Sequence, residues 1–522
     1  MSSDWTHQEL VQGIWNKDCA LWSSDPTIQL SIAERLGWLN SPRWLLENAD
    51  SLSEWAREMT GRGFNQVILV GMGGSSLAAE VIVDVFESTN NASVTVLDST
   101  HPDTITELLI NRAWSRILFV FASKSGTTIE VQSLCSWVLD NLEEQGVAEP
   151  GSQCVAITDP GTPLAALAVQ RCFLDCIESP SDVGGRFSAL TVFGMAPAAL
   201  SGVPINRLAD NAQQMAERCQ GVDVGENPGL ALGQWLATQI NANRDCLQLY
   251  VDESFQSLAV WLEQLIAESL GKNGKGLLPL GNATPAASSS RLVRVNLGSS
   301  SDDQFWQRVD SVEDQVPSFK IVLDEPEDVA GEFFRWSFAT AVAGALIGVN
   351  PFDEPDVSAS KKTTRDLLDA QELKTEPTVV PVAELAATLR SAGSRSYLAV
   401  LNYLPSDPTV NDMLDEFAQS VRDRFALPVS INAGPRYLHS TGQFHKGGPD
   451  HGVFLFVYGE PLQDLDIFAE DFGFAALNQA QAMGDCAELS RIGRSVCWIN
   501  LDGSRFAQLQ RLRAILRECL DW

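Results

Sequence analysis

A chain of 522 residues, 45% hydrophobic and 20% charged, is long enough for roughly two to four domains and a large buried core. Its 67 acidic against 36 basic residues give a net charge of −31, which argues against nucleic acid or an anionic membrane as the main partner. An anionic small molecule stays compatible, provided that its pocket is locally basic.

In chain order, residues 1–60 read as helices, with Trp and Leu recurring at helical spacing in "SIAERLGWL" and "LSEWAREM". Strands and helices then alternate. "QVILVG" (66–71), "VTVLD" (94–98), "RILFVFA" (116–122) and "CVAIT" (154–158) are apolar runs of buried-strand length, each followed by a helical pattern. That alternation predicts a parallel sheet covered on both faces. A second cycle reads "GLALGQWLATQINA" as helix, "CLQLYV" as strand, "SFQSLAVWLEQLIAESL" as a long amphipathic helix, and "RLVRVNLG" and "FKIVLD" as strands. "WSFATAVAGALIGV" (336–349) falls short of the roughly 18 to 20 residues of a membrane span and reads as a buried helix. "DAQELKTEPTVVPVAEL" reads as a linker. From about residue 396 a third segment carries the strands "YLAVLNY" and "VFLFVY" and ends on the helix "RFAQLQRLRAILREC". The predicted organisation is an N-terminal helical segment (1–60), a first α/β domain (61–215), a second (216–375) and a smaller α/β C-terminal segment (376–522).

Ten scattered cysteines without a CxxC pair read as reduced thiols. The opening "MSSDWTHQEL" has no basic stretch followed by an apolar one, so no signal peptide and a cytoplasmic location are expected. Neither HExxH, paired CxxC nor an EF-hand loop occurs, and no metal or other cofactor is expected.

In open parallel sheets, ligands bind at the C-terminal ends of strands, against the starts of the next helices. "VGMGGSSLA" (70–78) and "ASKSGTT" (122–128) both fall at such ends. Gly71, Gly73 and Gly74 allow close backbone approach, and Ser75, Ser76, Ser123, Ser125, Thr127 and Thr128 supply hydroxyls. Helix-start amides and hydroxyls together suit a phosphate. Neither loop is a Walker motif or a GxGxxG fingerprint, and either alone is as readily a plain turn. Two at successive strand ends favour a monophosphate.

"GMGGSSL" with "SKSGTT" resembles the sugar isomerase (SIS) superfamily, and within it the phosphoglucose isomerase family. "DVGGRFSALTVFG" (182–194), "QLIAESLGKNGKG" (264–276) and "GVNPFDEPDVSASK" (348–361) resemble further motifs of that family, in the family order. "RLGWL" and "LHSTGQFHKGGP" are similar to the isomerase half of bifunctional transaldolase–phosphoglucose isomerase proteins, although no stretch before Gly71 is long enough for a barrel of about 250 residues. The resemblance implies two SIS-type, flavodoxin-like parallel-sheet domains with a smaller α/β C-terminal segment. It also implies interconversion of glucose 6-phosphate and fructose 6-phosphate through an enediol, with the sugar phosphate as small-molecule partner and a homodimer left open.

Carried onto this chain, the resemblance gives Gly74, Ser75, Ser123, Lys124, Ser125, Thr127, Thr128 and Gln264 to substrate binding. Glu268 becomes the base between C2 and C1, a task that suits a carboxylate whose burial lifts its pKa. The helix is apolar around it (Leu262, Leu265, Ile266, Leu270) and Gly271 ends it, which speaks for burial over an exposed helix-end charge. Arg186 would steady the enediolate, and Lys361, eight residues after Asp353, would assist ring opening. The family's histidine follows its glutamate closely, yet this chain has none between Glu268 and Lys361. "LHSTGQF" occurs instead at 438–444, so His439 is expected to handle the ring-oxygen proton, with His445 as runner-up. Glu354 stands where many relatives carry glutamine. Lys272 and Lys275 read as a solvated loop without chemistry. Two alternatives accompany this reading: another phosphosugar aldose–ketose isomerase, for example on mannose 6-phosphate, and a non-catalytic sugar-phosphate sensor. Glu268, Arg186 and Lys361 together speak against the sensor, which needs phosphate loops but no base.

Overall fold

The segment Gln66–Gly71 (β1) is buried from its second residue on and ends in glycine, so both of its faces must be covered. It lies inside a parallel sheet whose order is β2 (Ser93–Leu97), β1, β3 (Ile117–Ala122), β4 (Cys154–Thr158) and β5 (Asp175–Glu178). The computed structural model describes residues 5–86, 92–110, 112–281, 291–311, 316–370, 384–393, 395–468 and 470–521. Among these residues the strands form three sheets, all parallel. The second has the order β7 (Leu278–Leu280), β6 (Cys246–Val251), β8 (Leu292–Gly298) and β9 (Ser318–Val322). The third has the order β11 (Val429–Ala433), β10 (Tyr397–Tyr403), β12 (Gly452–Gly459) and β13 (Ser495–Leu501). The α/β class and parallel sheets agree with the sequence reading. In each sheet the second strand lies on one side of the first and the third on the other, so the connections leaving these strands diverge and open a crevice at their C-terminal ends.

Alternation along β1 decides which layers meet. Val67 and Leu69 face a core shared with the second sheet's Leu247, Leu249, Val293 and Val295. Ile68 and Val70 face a second core that takes in Phe474, Leu477 and Ala480 of the C-terminal segment. A third core joins Cys246, Leu278 and Leu292 to Tyr397, Leu401 and Phe456 of the third sheet. Each such fully buried aliphatic or aromatic side chain contributes roughly 1.5–3 kcal/mol. The third segment is thus packed against both others, and the loop after β11 lies where the three sheets meet.

Four strands escaped the apolar-run reading: β5 and β11 are short sheet-edge strands, β7 has only three residues, and β13 is half-buried in alternation. "SIAERLGWL" is not one helix. Its first part lies in the helix Pro26–Ala33, and Gly37–Asn40 forms a separate 3₁₀ turn. There Leu36 bridges Val183, the Gly37 amide donates to Asp182 O at 2.8 Å, and Trp38 stacks on Phe187 at 5.5 Å. These contacts fix the loop that carries Arg186. The apolar stretch near Ala341 is the buried helix Asp328–Ile347, and no described helix is long and apolar enough to cross a membrane. The linker expectation falls mostly on 371–383, outside the described residues.

Candidate active site

After β3 the chain turns through residues 123–128 into the helix Ile129–Glu144. Thr128 sits at the N-cap, but its hydroxyl does not cap; it pairs with Ser123 Oγ at 2.9 Å, which also accepts from the Gly126 amide at 3.1 Å. Ser125 and Thr127 pair their hydroxyls at 2.8 Å. The loop is therefore pre-shaped at the positive end of a helix dipole. Ser125, Thr127 and Thr128 line a cavity of about 540 Å³.

Lys361, Lys362 and Arg365, from the helix Ser358–Ala370, and His439 also line this cavity. Lys362 pairs with Asp366 at 3.4 Å. Lys361 and Arg365, four residues apart on one helix face, have no carboxylate within ion-pair distance among the described residues. The acidic protein thus presents two cations here that no carboxylate of the described residues pairs.

His439 ends a 3₁₀ turn, Arg436–His439, and its Nε2 lies 3.0 Å from Glu130 Oε1. A carboxylate only accepts, so that nitrogen carries the hydrogen and Nδ1 is left for other partners. Gln481 Nε2 donates to the same Glu130 oxygen at 2.7 Å. Burial would raise the Glu130 carboxyl, but the charge and hydrogen bond of His439 hold it below its ordinary value.

Glu268 lies near the end of the helix Leu258–Leu270, buried, and accepts from Gln264 Nε2 at 3.1 Å. Arg186 Nη1 stands 3.6 Å from its Oε1. The guanidinium also bonds Ser269 Oγ at 2.9 Å, Glu354 Oε2 at 3.0 Å and the carbonyls of Pro351 and Asp353 at 2.8 and 2.6 Å. Burial pushes Glu268 above the usual carboxylate range; Arg186 opposes this and the nearby charge of Glu354 adds to it. Glu354 thus partners Arg186. Lys272, read as solvated loop, is buried; burial lowers it to about 8, and its ammonium ties down Asn350 O at 2.6 Å and Asp353 Oδ1 at 2.7 Å.

Two glycines bring these parts together. Gly73 has φ +54°, and a Cβ there would fall 2.6 Å from Gln264 Nε2 and 2.9 Å from His439 O. At Gly74 a Cβ would meet Gly185 O at 2.1 Å. The turn after β1 therefore touches the segments carrying Glu268, Arg186 and His439 at once. Glu268, Gln264 and Arg186 lie off the cavity wall. The charge of Lys361, on the cavity wall, nonetheless lowers both Glu130 and Glu268.

Other sequence candidates point elsewhere. Lys124 pairs with Asp159 and donates to Ser181 O at 3.2 Å, away from the cavity wall. Ser123 is buried and spent on shaping its loop, while Ser75 sits half-buried in the turn after β1. His445 is fully buried among Tyr397, Tyr437, Phe444 and Phe454, and burial pushes it well below its ordinary value. It is a core histidine; His439 is the one at the cavity. Sequence reasoning missed Glu130, Gln481 and Arg365. Of these only Glu130 left a trace, a carboxylate between the apolar Ile129 and Val131 at a helix start.

The family model of phosphoglucose isomerase matches residues 31–328, more than half of the chain. This chain belongs to the phosphoglucose isomerase family. It is an aldose–ketose isomerase of the SIS fold. A probable glucose-6-phosphate isomerase of Methanococcus maripaludis is 26% identical over 359 residues, 60% of this chain and 81% of that protein. A glucose-6-phosphate isomerase of Prochlorococcus marinus is 26% identical over 418 residues, 71% of this chain and 77% of that one. The crystal structure of a glucose-6-phosphate isomerase from Chlamydia trachomatis superposes with a TM-score of 0.57 at 16% identity, over 70% of this chain and 86% of that one, which supports the fold. The family match contains Gly74, Arg186, Gln264 and Glu268, and ends before the isomerase's Lys361 and His439.

Proposed function

We propose that this phosphoglucose isomerase interconverts glucose 6-phosphate and fructose 6-phosphate, with Glu268 as base and His439, Lys361 and Arg186 as its helpers. The phosphate would lie against Ser125, Thr127 and Thr128, opposite Lys361 and Arg365. His439 Nδ1 takes the C1 hydroxyl proton and delivers it to the ring oxygen as the bond between that oxygen and C1 breaks, with Lys361 beside them, and the open-chain aldose results. Glu268 then takes the proton from C2, the electron pair moves into an enediolate facing Arg186, and Glu268 returns that proton to C1 while the C2 hydroxyl proton passes to the C1 oxygen. The product is the ketose, and Glu268 is restored as carboxylate. The observation that carries this reading is Glu268 itself: a buried carboxylate, raised above its ordinary range, 3.6 Å from a buried arginine. A base tuned toward neutrality and a fixed cation for the developing oxyanion are what enolisation needs.

The test is conversion of fructose 6-phosphate, coupled to glucose-6-phosphate dehydrogenase, by native protein and Glu268→Gln. Loss of roughly 10²- to 10⁴-fold in kcat is the expected result. Native protein that binds fructose 6-phosphate without converting it would sink the proposal. A higher kcat/KM on mannose 6-phosphate than on glucose 6-phosphate would move the assignment to the C2 epimer.

A further inference from the structure

We infer that Asp485 is a positioning residue for ring opening, and that the helix Phe474–Arg491 which carries it is the rack on which Lys361 and His439 are mounted. This rests on the function proposed above. One face of that helix presents Asn478, Gln481 and Asp485, all at most 2% exposed. Asn478 Nδ2 donates to Thr100 Oγ1 at 3.0 Å, and Thr100 donates to Gln481 Oε1 at 2.7 Å. That fixes the Gln481 amide so that its nitrogen meets Glu130, the partner of His439.

One turn later, Asp485 gathers three donors. Ser360 Oγ donates at 3.0 Å, Tyr437 OH at 2.7 Å, and Lys446 Nζ lies at 2.5 Å. Ser360 directly precedes Lys361, and Tyr437 belongs to the 3₁₀ turn that ends in His439. Lys446 supplies the counter-charge that a carboxylate at 0% exposure needs. Ser360 and Lys446 line the cavity while Asp485 does not, so Asp485 acts from one layer behind the wall. Gly484 completes the arrangement. A Cβ there would fall 2.7 Å from Thr364 Oγ1 and 3.1 Å from Thr364 N, so glycine lets the Lys361 helix seat directly on the rack. Asp485 thereby sets the spacing between the two ring-opening groups, which come from two separate elements.

Asp485→Asn would leave the buried Lys446 ammonium without its counter-charge and could unfold the protein, so the primary variants are Ser360→Ala and Tyr437→Phe. Each removes one donor to Asp485 and no cavity charge. The readout compares fructose 6-phosphate with 5-deoxyfructose 6-phosphate, which lacks the ring-closing hydroxyl and is always open-chain. Expected is a fall in kcat of about 10-fold for each variant on fructose 6-phosphate, with KM within about twofold, and a much smaller fall on the open-chain sugar. Equal falls on both sugars, or no change in kcat, would overturn the positioning role. Native protein inactive on both sugars would instead remove the isomerase reading, and this role with it.

Discussion

Glu130 and His439 are 309 residues apart in sequence and 3.0 Å apart in space, joined Oε1 to Nε2. The carboxylate is buried and also held by Gln481, so it fixes both the orientation and the tautomer of the imidazole. Glu130→Gln keeps the shape and an acceptor but removes the charge. Its kcat on fructose 6-phosphate is expected to fall about 10- to 100-fold with KM nearly constant, a smaller loss than Glu268→Gln gives. Steady-state kinetics on both variants checks this; an unchanged kcat would mean that the pair serves packing only.

Arg365 carries a charge with no carboxylate partner among the described residues, on the cavity wall that also holds the hydroxyl loop. It is exposed, so removing it leaves the fold intact. A charge-assisted contact to phosphate is worth roughly 1.5–3 kcal/mol, about 10- to 100-fold in binding. Arg365→Met is expected to raise KM for fructose 6-phosphate by that factor while kcat stays within about twofold. Titration with inorganic phosphate, which needs no turnover, should show the same weakening; equal affinity in both proteins would refute the contact.

The hydroxyl-rich loop at 123–128 was legible because its signals are local: glycine and hydroxyls at a strand end, followed by a helix start. Ser125, Thr127, Thr128, Lys361 and His439 accordingly share one cavity. Lys124 shows the limit, because the carboxylate that takes it, Asp159, comes from the end of another strand, and no local pattern records that pairing. Gln481 and Asp485 were illegible for the same reason. A polar residue every third or fourth place on a helix reads as a solvated face, and only the packing of three sheets buries that face. β7, with three residues, is too short for periodicity to show.

The acid limb of the pH–rate profile should depend on Glu354. Burial raises the Glu268 carboxyl, and the negative charge of Glu354 adds to this while sharing Arg186 with it. Glu354→Gln removes the repulsion and leaves Arg186 freer to stabilise the Glu268 carboxylate. The acid limb of kcat is therefore expected to move to lower pH. A profile from pH 4 to pH 8 decides; a limb displaced upward, or one that stays put, would contradict the coupling.

Stability should respond to pH through a group remote from this site. Burial raises Glu332 from 4.5 to about 7. Between those values the folded state binds more protons than the unfolded chain, so stability falls as pH rises from about 4.5 to 7 and is level above. At 1.36 kcal/mol per unit the cost is about 3 kcal/mol at pH 8. Glu332→Gln is expected to recover part of it, about 1–3 kcal/mol at pH 8 and little at pH 5, read by denaturant unfolding at both. An equal change at the two pH values would show that packing, not charge, is what the side chain contributes.

One chain should suffice to make one site. Gly73 touches Gln264, one helical turn before Glu268, and the backbone of His439, all within a single chain. Glu130, which orients His439, and Lys361, whose charge reaches Glu268, belong to that chain too. Arg436 fastens the His439 turn to Glu80 and to Asp98, the latter at 3.1 Å, and Ser440 donates to Glu263 at 3.1 Å, on the Glu268 helix itself. A histidine held on both sides by its own chain has no reason to be supplied by another. Mixing Glu268→Gln with His439→Asn should therefore restore no activity at any protein concentration. If the two variants shared sites across an interface, a mixture would rebuild native sites and recover up to about a quarter of the native rate. Recovery would place His439 in a neighbour's site; its absence, with each variant folded by circular dichroism, leaves the whole set in one chain.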